Sequence, residues 1–137
     1  MNDPPLWGFY ERLRPAQIDA IRARSPIAYV PWGALEWHSY HNPIGLDGMQ
    51  AHGQCRALAE ATGGVVLPPI YAGTDTIKPF KGFGHTIEHA ESTVAALCHE
   101  FLTQLAEERF AVVVIVTGHC GGRHVEVLRE AISTFSA

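Results

Sequence analysis

Six consecutive residues, Ala111 to Val116 (Ala-Val-Val-Val-Ile-Val), are apolar at every position, and the run breaks at once into Thr117-Gly118-His119-Cys120-Gly121-Gly122. Strict alternation would bury one face of a strand. An unbroken β-branched run predicts a strand covered on both faces, as at the centre of a parallel sheet. Parallel strands need crossover connections, normally helices, so this run dictates what the rest of the chain must supply.

The rest supplies it. Residues 1–13 read as an irregular arm carrying Trp7, Phe9 and Tyr10. Pro15 suits the first turn of a helix ending near Arg24, before Ser25-Pro26. Ile27 to Val30 reads as a buried strand. Asp47 stands before a helical pattern of Met49, His52, Cys55, Leu58 and Ala59, with Gln50 placed for a variant capping box, and Gly63-Gly64 closes that helix. Val65 to Leu67 starts another strand, which Pro68-Pro69 turns into an extended exit. Residues 72–90 lack periodicity and read as a long functional loop. Val94, Leu97, Cys98, Phe101, Leu102 and Leu105 form the apolar stripe of the clearest helix, and Val125, Leu128 and Ile132 mark a last one. This order predicts one domain over 1–137: an α/β three-layer sandwich with a mainly parallel sheet and right-handed crossovers.

Such sheets place ligands beyond the carboxyl ends of their strands. Here that edge carries Glu36, His38, Asp47, His119 and Cys120, most of them from the stretch Val30 to Gly48. Glu36 and His38 are two apart, so on an extended segment they point the same way. Asp47 begins a helix, where a carboxylate is favoured. Two carboxylates and two imidazoles suit Zn²⁺ or Mn²⁺ with positions left for water. Each residue also has a plainer role: Asp47 as an N-cap, Glu36 in a solvated turn, His119 bonded to a loop carbonyl. Their convergence favours the metal site.

Composition narrows the partners. The 137 residues carry a formal net charge of −4 without any Lys/Arg run, which argues against nucleic acid or an anionic membrane. The longest apolar run, Phe110 to Val116, is too short to span a bilayer. Three cysteines without a C-x-x-C pair argue against a disulfide framework, and the N-terminus lacks the basic and apolar segments of a secretory signal. A cytoplasmic location is expected.

Glu36-Trp37-His38, His41, Pro43, Gly45 and Asp47 resemble the E-x-H-G-x-H-L-P-x-G-T-D signature of the creatininase (creatinine amidohydrolase) family. Val114 to Gly122 is similar to that family's V-I-V-N-G-H-G-G-N strand and turn. Pro68 to Gly73 matches its P-P-x-x-Y-G stretch, and Gly84 to Ile87 resembles its P-G-T-I. The resemblance implies a hydrolase of a cyclic or other small amide, working through metal-activated water and assembled as a homo-oligomer. It implies a first metal on Glu36, Asp47 and His119, and a second on His38 and the bridging Asp47. Three departures stand out. The family's glycine after the first histidine is Ser39. One position of its second-metal glutamate is Gly121. The family chain is also longer, with a C-terminal part that supplies a proton-donating histidine and is absent from these 137 residues.

Two other readings follow from the residues. Gly118 to Gly122 fits a nucleophile elbow, which would make Cys120 the nucleophile of a hydrolase, with His85 or His124 as base. A reduced member of the family would bind one metal or a ligand as a subunit. His85 and His89, with Glu88, are candidate substrate contacts or part of a lid; Asp75 and Lys78 share that loop. Cys55 and Cys98 lie on apolar helix faces and are expected in the core.

Overall fold

In the computed structural model, which describes residues 6–135, the elements are β1 (Trp7–Phe9), a short 3-10 turn, α1 (Pro15–Arg24), β2 (Ile27–Gly33), α2 (Leu46–Thr62), β3 (Gly64–Val66), β4 (Ile70–Tyr71), α3 (Glu91–Glu107), β5 (Val112–Thr117) and α4 (Gly122–Thr134). Residues 1–5 of the expected N-terminal arm lie outside the described residues. All pairings between these strands are parallel. β5 runs along one side of β2 from Ile27↔Val112 to Trp32↔Thr117, and β3 and β4 follow each other along the other side, with β1 outside β3. Ala28 pairs with Val65, but Trp32 pairs with Ile70, so the β3–β4 side has gained one residue across Leu67-Pro68-Pro69. Two adjacent residues without a backbone N–H cannot hold the ladder, and the strand bulges there.

The two faces of β2 explain the layers. Ala28, Val30 and Trp32 join Val65 and Leu67 under α1, α3 and α4, packing with Ile21, Val94, Cys98, Leu102, Leu105, Val127 and Leu128. Tyr29 and Val66 face the other way, onto Cys55 and Ala59 of α2. Helices therefore cover both faces, as the alternation of elements predicts. Cys55 and Cys98 are fully buried, and burial pushes their thiols up to about 12 and about 11.

Three expectations are corrected. The arm of residues 1–13 contains a strand, because Trp7–Phe9 finds a free ladder edge in Gly64–Val66. Among the described strands the run at 111–116 is not central: β5 pairs only with β2, its side chains stay partly exposed, and Val112 is 48% exposed. β2 is the central strand instead, and Pro31 inside it had masked its length. Finally, Asp47 caps nothing. The N-cap of α2 is Gly45, Asp47 lies inside the first turn, and its carboxylate turns toward the sheet edge.

Candidate metal centre

Backbone crowding at the sheet edge decides where Asp47 goes. A Cβ on Gly33, at the end of β2, would fall on the backbone of Gly48, and one on Gly118, after β5, would fall on the carbonyl of Asp47. Only glycine lets the first turn of α2 touch both strand ends, and this contact seats Asp47 between them, 3% exposed. Its two oxygens serve two partners. Oδ1 lies 3.0 Å from His38 Nε2, and Oδ2 lies 3.3 Å from His119 Nδ1. Glu36 Oε2 lies 3.1 Å from the same His119 nitrogen, while Glu36 Oε1 accepts the Ile77 N–H at 2.6 Å.

Both imidazoles are oriented by carbonyls. His38 Nδ1 donates to the Glu36 carbonyl at 2.9 Å, which leaves Nε2 facing Asp47. His119 Nε2 donates to the Thr74 carbonyl at 2.9 Å, which turns Nδ1 to both carboxylates. Thr117 shapes the turn that delivers His119: its hydroxyl accepts the His119 N–H and donates to the His119 carbonyl. Burial lowers the pKa of His119, but the Asp47 carboxylate, the Thr74 carbonyl and the charge of Glu36 outweigh it, and the net shift is upward.

Glu36, His38 and Asp47 offer ligand atoms that all lie within 4.8 Å of one another, and His119 reaches the same two carboxylates. Asp47 Oδ2 is buried and accepts no hydrogen bond despite its closeness to His119. A buried, unpaired carboxylate oxygen facing a ring nitrogen fits a cation between them. The set can hold a divalent metal. All four residues read from the sequence as ligands therefore come together, and the plainer role of His119 also holds, through its other nitrogen.

Other candidates do not join them. His41 is exposed. His85 is exposed with φ +64°, and His89 is half-buried with its N–H on the Gly73 carbonyl; no described hydrogen bond links either side chain to the four. Cys120 is exposed, its described polar partner is the Gly118 carbonyl at 3.9 Å, and its φ is not positive as a strained elbow requires. His124 is turned away from it into the core, where Nδ1 accepts the Thr74 N–H at 3.4 Å. Burial, with the His119 charge, holds His124 down at about 4. The nucleophile and base of the cysteine reading are thus not brought together.

The 72–90 loop is stapled to the edge. Ile87 N–H bonds the Leu35 carbonyl, Trp37 N–H the Thr86 hydroxyl, Lys78 the Thr86 carbonyl, and the Thr76 N–H and hydroxyl both bond Glu88. At Gly121 a Cβ would fall on the Asp75 carbonyl and lie 2.9 Å from His119 Nε2, so this backbone accepts no glutamate there. Sequence reasoning missed Thr74 and the role of His124. A carbonyl oxygen has no residue-type signature, and His124 shares no periodicity with His119.

A family model described as creatinine amidohydrolase matches residues 11–137. The chain is 24% identical over 102 residues to a creatinine amidohydrolase of Pseudomonas putida, an alignment covering 72% of this chain and 39% of that relative. Among solved structures it is similar to a variant creatininase of Zn-Zn type (TM-score 0.80, 23% identity, 91% of this chain and 49% of that one). It is equally similar to a creatininase in an Mn form (TM-score 0.80, 22% identity, 94% and 50%). The shared fold is thus clear, and the chain spans about half or less of the length of these relatives.

Proposed function

Since the chain belongs to the creatininase family, we propose that it carries the metal-binding edge of a metal-dependent amidohydrolase that cleaves the C–N bond of a cyclic or other small amide. The observation that carries this reading is the convergence of Glu36, His38, Asp47 and His119 around an unpaired carboxylate oxygen. Glu36, Asp47 and His119 would hold one metal, and His38 with the bridging Asp47 a second. Zn²⁺ or Mn²⁺ is the expected ion, from the donor set and from the forms in which relatives are described. A metal of this kind polarises the amide carbonyl and lowers the pKa of a bound water. The chain's own part is to point ring nitrogens inward: His38 and His119 each spend one N–H on a backbone carbonyl, so the other nitrogen is free for the ion.

Around the site, Tyr40, Phe80, Phe83 and Ile87 are exposed apolar residues, and Trp37 stacks edge-on with Tyr40. We assign His85 and His89 to substrate contact at this rim, and the apolar surface to assembly as a homo-oligomer. No helix among the described residues is long and apolar enough to cross a membrane; with three free cysteines, we place the protein in the cytoplasm.

A second reading, one metal in a subunit of reduced activity, is favoured by Gly121, which supplies no carboxylate and has no room for one. Metal analysis decides between them. Two equivalents of Zn²⁺ or Mn²⁺ per chain, with hydrolysis of a lactam or formamide panel, support the first reading; one equivalent without hydrolysis supports the second. Asp47→Ala should weaken binding by more than about a hundredfold, beyond what loss of an outer-shell contact costs. A variant that keeps its full metal content would overturn both.

A further inference from the structure

The segment Ala72 to Asp75 lies across His119 as a strap, and every residue of it is held by a hydrogen bond. The Ala72 carbonyl accepts the Trp32 indole N–H at 2.7 Å, and the Gly73 carbonyl accepts the His89 N–H at 2.8 Å. Asp75 Oδ2 accepts the Arg123 N–H at 2.9 Å, inside the first turn of α4. Between these anchors the main chain of Thr74 faces two histidines: its carbonyl holds His119 Nε2, and its N–H, in the preceding peptide, bonds His124 Nδ1. A Cβ on Gly73 would collide with Ala34 and lie 3.4 Å from the His119 ring, so the strap sits flush on it. The two rings meet edge-on with centroids 4.8 Å apart.

His124 is fully buried, and its Nε2 has no hydrogen-bond partner. With Nδ1 accepting, the ring proton is on Nε2, where it is buried and unpaired, an arrangement that costs stability. A phenylalanine of similar shape would avoid that cost. What an apolar ring cannot do is accept the Thr74 N–H.

We infer that His124 is a positioning residue: by holding the N–H of Thr74 it steadies that residue's main chain, keeps the strap carbonyl on His119 Nε2 and so fixes the tautomer and ring angle with which His119 offers Nδ1 to a metal. The inference rests on the proposed metal centre for its consequence, but not for its geometry. Fixing the far nitrogen of a ligating imidazole is worth about 10- to 100-fold in metal affinity. Here the fixing group is a backbone carbonyl, and His124 is what steadies it.

Two measurements test this on the same 15N-labelled protein. In metal-free protein at pH 9, long-range 1H–15N spectra should show His119 protonated at Nε2 in the wild type and in His124→Gln, whose amide can accept the Thr74 N–H. In His124→Phe the Nδ1-protonated form should appear. In chelator competition, Zn²⁺ affinity should fall about 10- to 100-fold in His124→Phe and stay within about threefold in His124→Gln. A wild-type His119 protonated at Nδ1 overturns the inference without any variant, which covers the case in which His124→Phe does not fold. So does unchanged affinity and tautomer in His124→Phe, or a loss in His124→Gln as large as in His124→Phe. If the wild type binds no Zn²⁺, the metal centre fails, and the tautomer comparison still decides the strap.

Discussion

His38 and His119 present the same chemistry and are held in opposite ways. His38 is partly exposed, and its orienting carbonyl belongs to Glu36, two residues away on the same extended turn. His119 is 4% exposed, and its orienting carbonyl belongs to Thr74, 45 residues earlier, on a strap held by β2, by His89 and by α4. One side of the centre is local and needs only its own turn to form. The other exists only when β2, α2, the strap and α4 have all docked. The expected consequence is a centre whose local side tolerates change while its long-range side transmits any disturbance of packing.

The sharpest way to break that contrast is at Gly118. Its backbone touches the Asp47 carbonyl, so Gly118→Ala places a methyl group against main chain, where no rotamer change relieves it. The expected cost is about 3 kcal/mol, at the upper end for overpacking. A urea unfolding midpoint that drops accordingly, with Zn²⁺ affinity falling alongside, fits a long-range junction. A variant with wild-type stability would mean that α2 and β5 are not locked at this point.

The same contrast explains what the sequence discloses. The α/β layering follows from apolar runs and helical stripes, each a local pattern. Glu36, His38, Asp47 and His119 are chemistry-bearing side chains at strand exits, where the sheet rule places a site. Strand rank is a property of neighbours: Ala111–Val116 looks more central than Ile27–Gly33, yet β2 has partners on both sides and β5 pairs with β2 alone among the described strands. Trp7–Phe9 reads as arm because nothing within three residues announces a ladder that Gly64–Val66 provides. Thr74 contributes only main-chain atoms, which every residue has. And Cys120, persuasive between two glycines, needs a base that the core has taken away.

A middle-sized effect isolates the buried side. In the metal-free protein, burial and the neighbouring His119 hold His124 down at about 4, against an ordinary 6.5 in the unfolded chain. Between those values the folded protein binds fewer protons at this residue than the unfolded chain does, so stability falls as pH drops from 6.5 toward 4. The contribution is roughly 2–3 kcal/mol across the window. As the pH falls from 7 to 4, the urea midpoint of the wild type should therefore drop relative to that of His124→Phe, which lacks this titration. Parallel curves would show that His124 is already charged or solvated in the folded state.

The smallest effect belongs to the local side. Ser39 follows His38 with φ +71°, a left-handed conformation that glycine adopts freely and serine does not. Glycine removes that strain, worth about 1–2 kcal/mol, but gives back part of it through a more flexible unfolded chain, about 0.5–1 kcal/mol. Ser39→Gly should accordingly raise stability by no more than about 1 kcal/mol. Because the Glu36 carbonyl and His38 Nδ1 both precede the substitution, Zn²⁺ affinity should stay within about threefold, against the 10- to 100-fold loss expected at the strap. Calorimetric Tm and chelator competition on the one variant read both quantities. A loss of affinity at Ser39 as large as that in His124→Phe would mean that the turn and the strap are one cooperative unit, and that the local side is local in sequence only.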